Sequence, residues 1–323
     1  MSLIHSSRRL SSPLVLCLAV AALAACVTPA QAQRSLRWKF EQGQTLDWKM
    51  IQDMDMTMHI GGQTQEVDNT FGMTMSMFVQ DVDDDGTANL EITLGRMQMK
   101  MEMLGQTFEF DSDSDEAPQG PAAMIAKAMQ PLMGMQYTMS MNEMGEVLEV
   151  DVPQETIDML NKMPGMEQFG SMFDKESLQN ASSGGFLPLP EQALMKGDTW
   201  SHESEMENPL LGKQTTTMHF VYQGTEEVDG RTLDRIDVDI DMDFGDGEIE
   251  NPMGLKVTLE SGDMSGKYYF DNEAGRVARS EMLMQMETET EVAGQVMQQD
   301  VDARIVTTLD PIEPDSESPG DDE

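Results

Sequence analysis

Asp81-Val82-Asp83-Asp84-Asp85-Gly86 sets three carboxylates at alternate positions ahead of a glycine, with Asn89 three residues further on. Hard oxygen ligands at that spacing open a calcium-binding loop, whose glycine makes the sharp bend around the ion. Asp81, Asp83 and Asp85 are therefore the candidate calcium ligands. The pattern stops short of a full loop, because Ile92 stands at the twelfth position, where a bidentate glutamate belongs. Both flanks alternate like strands, so an Asp-Gly hairpin between Val79 and Leu90 accounts for the same residues without an ion. Asp111, Asp113 and Asp115 form a second oxygen-rich stretch.

Methionine offers a softer chemistry. The chain has 33 methionines in 323 residues, many spaced Met-x-Met. On a strand that spacing lines thioethers along one side, and thioethers suit Cu(I). The same spacing is what a buried sheet face requires, and methionine packs irregular cores readily, so core is the preferred assignment. Past residue 32 the histidines are His59, His202 and His219, far apart in sequence. His202 and His219 could meet on neighbouring strands, but they lack a recognisable third ligand. No Gly-x-Ser-x-Gly elbow, Gly-rich phosphate loop or His-Glu-x-x-His helix occurs. The expectation is a chain with no catalytic residues and no cofactor.

The N-terminal residues point to export. Arg8 and Arg9 precede an apolar run from Leu14 to Ala25, shorter than the roughly 20 residues of a membrane-spanning helix. Basic flank, apolar run and small-residue site are the three parts of a secretory signal. Two processing sites compete. Ala30-Gln31-Ala32, behind Pro29, fits cleavage after Ala32 and a leader of residues 1–32; Leu23-Ala24-Ala25-Cys26 resembles a bacterial lipobox, which would end the leader at residue 25 and lipidate Cys26. Cleavage after Ala32 is preferred. Cys17 and Cys26 are the two cysteines, so the chain after Ala32 has neither disulfide nor thiol nucleophile. Such a chain lies in the periplasm, the cell envelope or the medium, and touches a membrane only through a lipid on Cys26.

Charge narrows the partners. The formal net charge is −39, and residues 1–32 contain two arginines and no acid, so their removal makes the chain more acidic still. That surface repels polyanions, which excludes nucleic acid as a partner. Basic-patch docking on anionic lipid is excluded for the same reason.

The elements that would position these groups are strands. Leu46, Trp48, Met50, Met54, Met56, Met58 and Ile60 share one parity, with mostly polar residues between them. Successive strand side chains point to opposite faces, so this is an amphipathic strand. Gly61-Gly62 offers a turn. The alternation returns in Phe71 through Val79, in Ile236 through Phe244, in Met282 through Met286 and in Val301 through Ile305. It changes parity between Leu94 and Met97, which calls for a β-bulge at Gly95 and a curved sheet. Helical spacing is confined to Pro121–Met129 and to Pro153–Gln179, interrupted by Pro164-Gly165. Ser182-Ser183-Gly184-Gly185 reads as a linker. From Asp310 onward, three prolines and seven acids make a disordered tail.

The two halves repeat. Asn142-Glu143-Met144-Gly145-Glu146-Val147 returns as Asn272-Glu273-Ala274-Gly275-Arg276-Val277, with glycine where a hairpin needs positive φ. Val82 through Gly86 corresponds to Val228-Asp229-Gly230. Gly43-Gln44-Thr45 with Trp48 corresponds to Gly197-Asp198-Thr199-Trp200. The division that follows is a first β repeat over 33–151, with a short helix near 121–129, then a helical segment and linker over 152–185. A second β repeat covers 186–309, and an acidic tail 310–323.

Leu187-Pro188-Leu189-Pro190, Gly197-Asp198-Thr199-Trp200, Gly266 through Asp271 and Gly275-Arg276-Val277 together resemble an exported bacterial family known as a domain of unknown function. A looser resemblance, on strand pattern and central helices, is to lipoprotein carriers, in which a curved antiparallel sheet wraps helices and holds acyl chains. Neither supplies site residues.

The fold expected is mainly β (α+β): two repeated curved antiparallel sheets or half-barrels with a few helices between or inside them. The function expected is a non-enzymatic extracytoplasmic binding module for a hydrophobic ligand or a partner protein. The alternatives are metal binding, by calcium at the Asp81 turn or Cu(I) on the methionine faces, and a structural part of the cell envelope.

Overall fold

The period-two runs become strands that pair chiefly with their sequence neighbours. The computed structural model describes residues 33–103, 105–114, 132–161, 185–208, 212–243, 248–250, 256–292 and 295–310, together with Ala123, Ala126, Gln179 and Ser182. Two units divide the chain, Met1–Gln33 and Arg34–Glu323. The leader with Cys26, most of both expected helical stretches and the tail beyond Asp310 lie outside the described residues. What is described is essentially the second unit.

The first meander is β1 (Thr45–Ile60), β2 (Gln63–Val82), β3 (Ala88–Met103), β4 (Gln106–Asp111), β5 (Gln136–Met141) and β6 (Val147–Asp151). Helix α1 (Gln154–Asn161) follows. The second meander is β7 (Thr199–Asn208), β8 (Gly212–Val228), β9 (Arg231–Asp243), β10 (Glu248–Glu250), β11 (Lys256–Asp271), β12 (Arg276–Val292) and β13 (Gln295–Asp310). Gly61 and Gly62, both at positive φ, turn β1 into β2. Ser182 and Gly185, expected in a linker, have helical backbone instead; serine and glycine disfavour a helix by less than about 1 kcal/mol each, which neighbouring contacts can override.

Instead of two sheets there is one, ordered β6-β5-β3-β2-β1-β13-β12-β11-β9-β8-β7, with β4 beside β3 and β10 beside β11. β13 removes the expected gap. Its polar and apolar residues alternate from Asp300 to Ile305, and it pairs antiparallel with β1 on one side and β12 on the other. Read along the sheet, β6 to β1 and β12 to β7 pass through the same sequence of strands, with β13 between them. The repeated motifs hold equivalent places. Asn142–Val147 joins β5 to β6 and Asn272–Val277 joins β11 to β12, with Gly145 at φ 81° and Gly275 at φ 66°.

The bulge falls where the parity changes. Met73 faces Met97 but Met75 faces Leu94, so β3 spends one residue more than β2 around Gly95. The Arg96 amide donates to Thr74 Oγ1 at 2.9 Å, satisfying a group the ladder leaves out.

One end of the sheet is rolled shut. The Trp38 amide donates to Glu143 O in the β5–β6 turn, and the next amide, Lys39, donates to Gly275 O in the β11–β12 turn, both at 2.9 Å. In a flat sheet those turns would lie about 24 Å apart, at about 4.8 Å per strand. Consecutive residues span only about 3.8 Å between Cα atoms, so the strands must curl around residues 34–40. Residues 186–194 fill the gap between the two edges: the Leu189 amide reaches Met144 O at 2.8 Å, and Trp200 Nε1 reaches Pro188 O at 2.9 Å. Trp38 sits at the centre, 1% exposed, stacked on Phe40 and edge-on to Phe186 and Phe270. Its Nε1 donates to Leu187 O at 3.0 Å.

Candidate functional site

The concave face changes character along its length. Near the closed end the row Leu46, Met77, Ile92 is buried. Further along β1, Met50, Met54, Met56 and Met58 are half-buried, as are Met284 and Met286 of β12. One cross-strand row here runs Met101, Asn69, Met54, Ala303, Met284, Met264 over β3, β2, β1, β13, β12 and β11. The methionine side is thus a filled core at the closed end. Toward the Gly61-Gly62 turn it becomes a trough of thioether side chains, which are flexible enough to fit varied apolar shapes.

Where core gives way to trough there is a cavity of about 210 Å³. Trp38, Met75, Met218, Met264 and Met282 supply much of its apolar wall. Four of its lining residues carry a polar group: Trp48, Tyr268, Ser280 and Thr307. Tyr268, Ser280 and Thr307 are direct partners across β11, β12 and β13, so their hydroxyls form one row on an otherwise apolar surface. Burial pushes the Tyr268 phenol up to about 12, which keeps it neutral. Trp48 is 8% exposed, and its Nε1 has no hydrogen-bond partner among the described residues. Among the described residues no carboxylate, lysine, arginine or histidine lines the cavity.

A larger cleft of about 700 Å³ lies on the other side of β1 to β4, against Lys49, Ile51, Gly72, Thr74, Gln98 and Lys100. Two of its cations have acidic partners. Arg96 binds both carboxylate oxygens of Asp111, and Lys100 meets Glu102 at 2.7 Å. The first cavity is the better candidate, because it has apolar walls and a donor left unmet.

Several of the residues that suggested metal chemistry have other partners. Asp81 accepts from Asn89 Nδ2 at 2.8 Å across the β2–β3 ladder. Asp83 closes the turn through its backbone, receiving the Gly86 amide at 3.0 Å. Asp85 accepts the Thr87 amide at 3.1 Å, and that bond holds its carboxyl below the ordinary range. Asp111 lies lower still, held down mainly by Arg96; Asp115 is outside the described residues. His202 and His219 do lie on neighbouring strands, opposite Met218 and Ser201. Each histidine stands one residue from the other's cross-strand partner, so the imidazoles point to opposite faces. His219 instead meets Asp241 at 3.1 Å, and His59 lies 3.6 Å from Asp300. Among the described residues no group of three or more His, Cys, Asp or Glu could hold a metal.

One buried polar cluster carries only a faint sequence signal. Asp234 is fully buried, accepts from Tyr222 Oη at 2.5 Å and pairs with Arg34 at 2.8 Å. Arg34 also bridges Leu194 through the backbone, so the cluster fastens the N-terminal segment to β8 and β9. An aspartate in the alternating Arg231–Asp243 run looks like any other surface acid there. Its even position, shared with Ile236 and Val238 and not with Asp237, Asp239 and Asp241, was the available sign.

The model of a family described as a family of unknown function (DUF6263) matches residues 85–277. Curated proteins give no match. Among solved structures the chain is similar to lipovitellin, described for its lipid–protein interactions, at 12% identity and TM-score 0.44, covering 84% of this chain and 26% of that one. It therefore spans about a quarter of lipovitellin's length. It is also similar to the hypothetical lipoprotein YmcC of Escherichia coli, at 12% identity and TM-score 0.21, covering 92% and 98%. A putative exported protein of Bacteroides fragilis with a YmcC-like fold gives 8% identity and TM-score 0.22, covering 85% and 97%. At these TM-scores none of the three structures carries an argument. No helix among the described residues is long and apolar enough to cross a membrane, which says nothing of crossing by strands.

Proposed function

Since the chain belongs to the family of unknown function (DUF6263), whose model matches residues 85–277, we propose a role from the site alone: a non-enzymatic, exported module that binds a hydrophobic ligand. In this proposal the sheet is a duplicated pair of half-barrels, and the ligand lies along the methionine side. The observation that carries it is the half-burial of Met50, Met54, Met56, Met58, Met284 and Met286, continuous with a cavity whose walls are apolar. Covering such a face removes apolar surface from water at roughly 25 cal/mol per Å², without any catalytic group. Export follows from Arg8, Arg9, the apolar run and the Ala30-Gln31-Ala32 site. The compartment is the periplasm or another part of the cell envelope, and lipidation of Cys26 would tether the module to a membrane.

Native mass spectrometry of the protein purified from an exporting host tests this. The proposal expects an added mass that solvent extraction removes and that reappears as an apolar compound in the extract. A ligand-free mass, with no uptake of apolar probes by the extracted protein, overturns it.

A further inference from the structure

Trp48 Nε1 is a buried donor with no acceptor among the described residues, and Trp48 lines a cavity whose wall is mostly apolar. Buried polar groups in native proteins are nearly always paired, and an exception calls for an explanation. An indole N–H only donates, so whatever completes it must accept. Beside it, Tyr268, Ser280 and Thr307 set three hydroxyls in one row across β11 to β13. Thr307 faces Met50 on β1, two residues from Trp48, so row and indole converge on one patch.

Among the described residues the lining contains no lysine, arginine or histidine, and the chain as a whole carries −39. A carboxylate placed there would lose its hydration with no cation to replace it. A plain hydrocarbon would leave the indole N–H unmet. Both ends of the range are disfavoured by the same wall.

We propose that the cavity is the headgroup end of the binding site and selects a neutral acyl ester, its carbonyl oxygen accepting from Trp48 Nε1 and from the hydroxyl row while its chain runs out along the methionine trough. This deepens the hydrophobic-ligand proposal and rests on it. It also assigns direction: the polar end sits deep, against the Trp38 core, and the tail points toward the Gly61-Gly62 turn.

The test uses the full mature chain and three probes of matched length: methyl laurate, laurate at pH 8, and tridecane, each displacing a fluorescent naphthylamine. One hydrogen bond gained in a dry site makes methyl laurate about 5- to 10-fold tighter than tridecane, with laurate weaker than the ester. Trp48→Phe keeps a ring and deletes the N–H; it should erase most of the ester's lead and leave tridecane unchanged. Thr307→Val makes the same test on a neighbouring strand and serves if the first variant does not fold. Equal binding of ester and tridecane, a full ester preference in a folded Trp48→Phe or Thr307→Val protein, or laurate as tight as the ester overturns the inference alone. Failure of the unaltered protein to bind any of the three overturns the hydrophobic-ligand proposal and takes this inference with it.

Discussion

Gly145→Ala should loosen the closed end of the sheet, and a matched control separates the contribution of contact from that of backbone strain. Gly145 and Gly62 both sit at φ 81°, but a Cβ on Gly62 meets nothing within 4 Å. A Cβ on Gly145 would collide with Leu187 O and stand 2.6 Å from Trp38 Nε1. The left-handed backbone alone costs an alanine roughly 1–2 kcal/mol. At Gly145 the carbonyl and indole must also part, which forfeits their 3.0 Å hydrogen bond, about 1 kcal/mol net. Displacing Trp38 from Phe186 and Phe270 loses about 1 kcal/mol more. Gly145→Ala should therefore destabilise by about 3–4 kcal/mol and Gly62→Ala by about 1–2. At roughly 2–4 °C per kcal/mol for a domain of this size, calorimetry should find Gly145→Ala melting about 6–16 °C low, well beyond the control. Equal losses for the two variants would refute the claim that residues 34–40 and 186–194 hold the roll together.

Arg34→Leu should destabilise by about 2 kcal/mol in urea unfolding, because Asp234 is left buried with Tyr222 as its remaining partner; the full loss typical of a broken buried pair is discounted because Arg34 is 37% exposed. The Arg96 guanidinium holds the Asp111 carboxyl below the usual carboxylate range. A carboxyl depressed in the folded state contributes stability above its unfolded pKa and loses it as pH falls through the folded value. Arg96→Gln should thus lower stability modestly at neutral pH, the pair being partly exposed, and converge on the parent as pH falls below about 4, and an unaltered acid limb would contradict it. Millimolar calcium should leave the melting temperature where it is, since Asp81 and Asp85 already hold Asn89 and Thr87; a rise would mean that the native state binds the ion.

The strands were legible because each needs only its own parity: Leu46 to Ile60, Met282 to Met286 and the Gly95 shift could be read one segment at a time. The single sheet was not, because the choice of β13 to pair with both β1 and β12 depends on edges far apart in sequence. The glycines at 145 and 275 were readable as turns, but not as the places where Trp38 and Lys39 cross. The acids at 81, 83 and 85 drew attention through type and spacing, and cross-strand and turn bonds occupy at least two of them. Trp48 looked like one more apolar residue of its strand. Its significance comes from the missing acceptor, which only the packed surroundings reveal.

Peroxide footprinting of the methionines, read residue by residue by mass spectrometry, tests the division of the concave face most directly. Met77 and Met141, fully buried, should resist oxidation, while Met54, Met56, Met284 and Met286 should oxidise and then become protected when methyl laurate is added. Equal resistance at all six positions, with no change on adding the ester, would mean a filled interior and no trough.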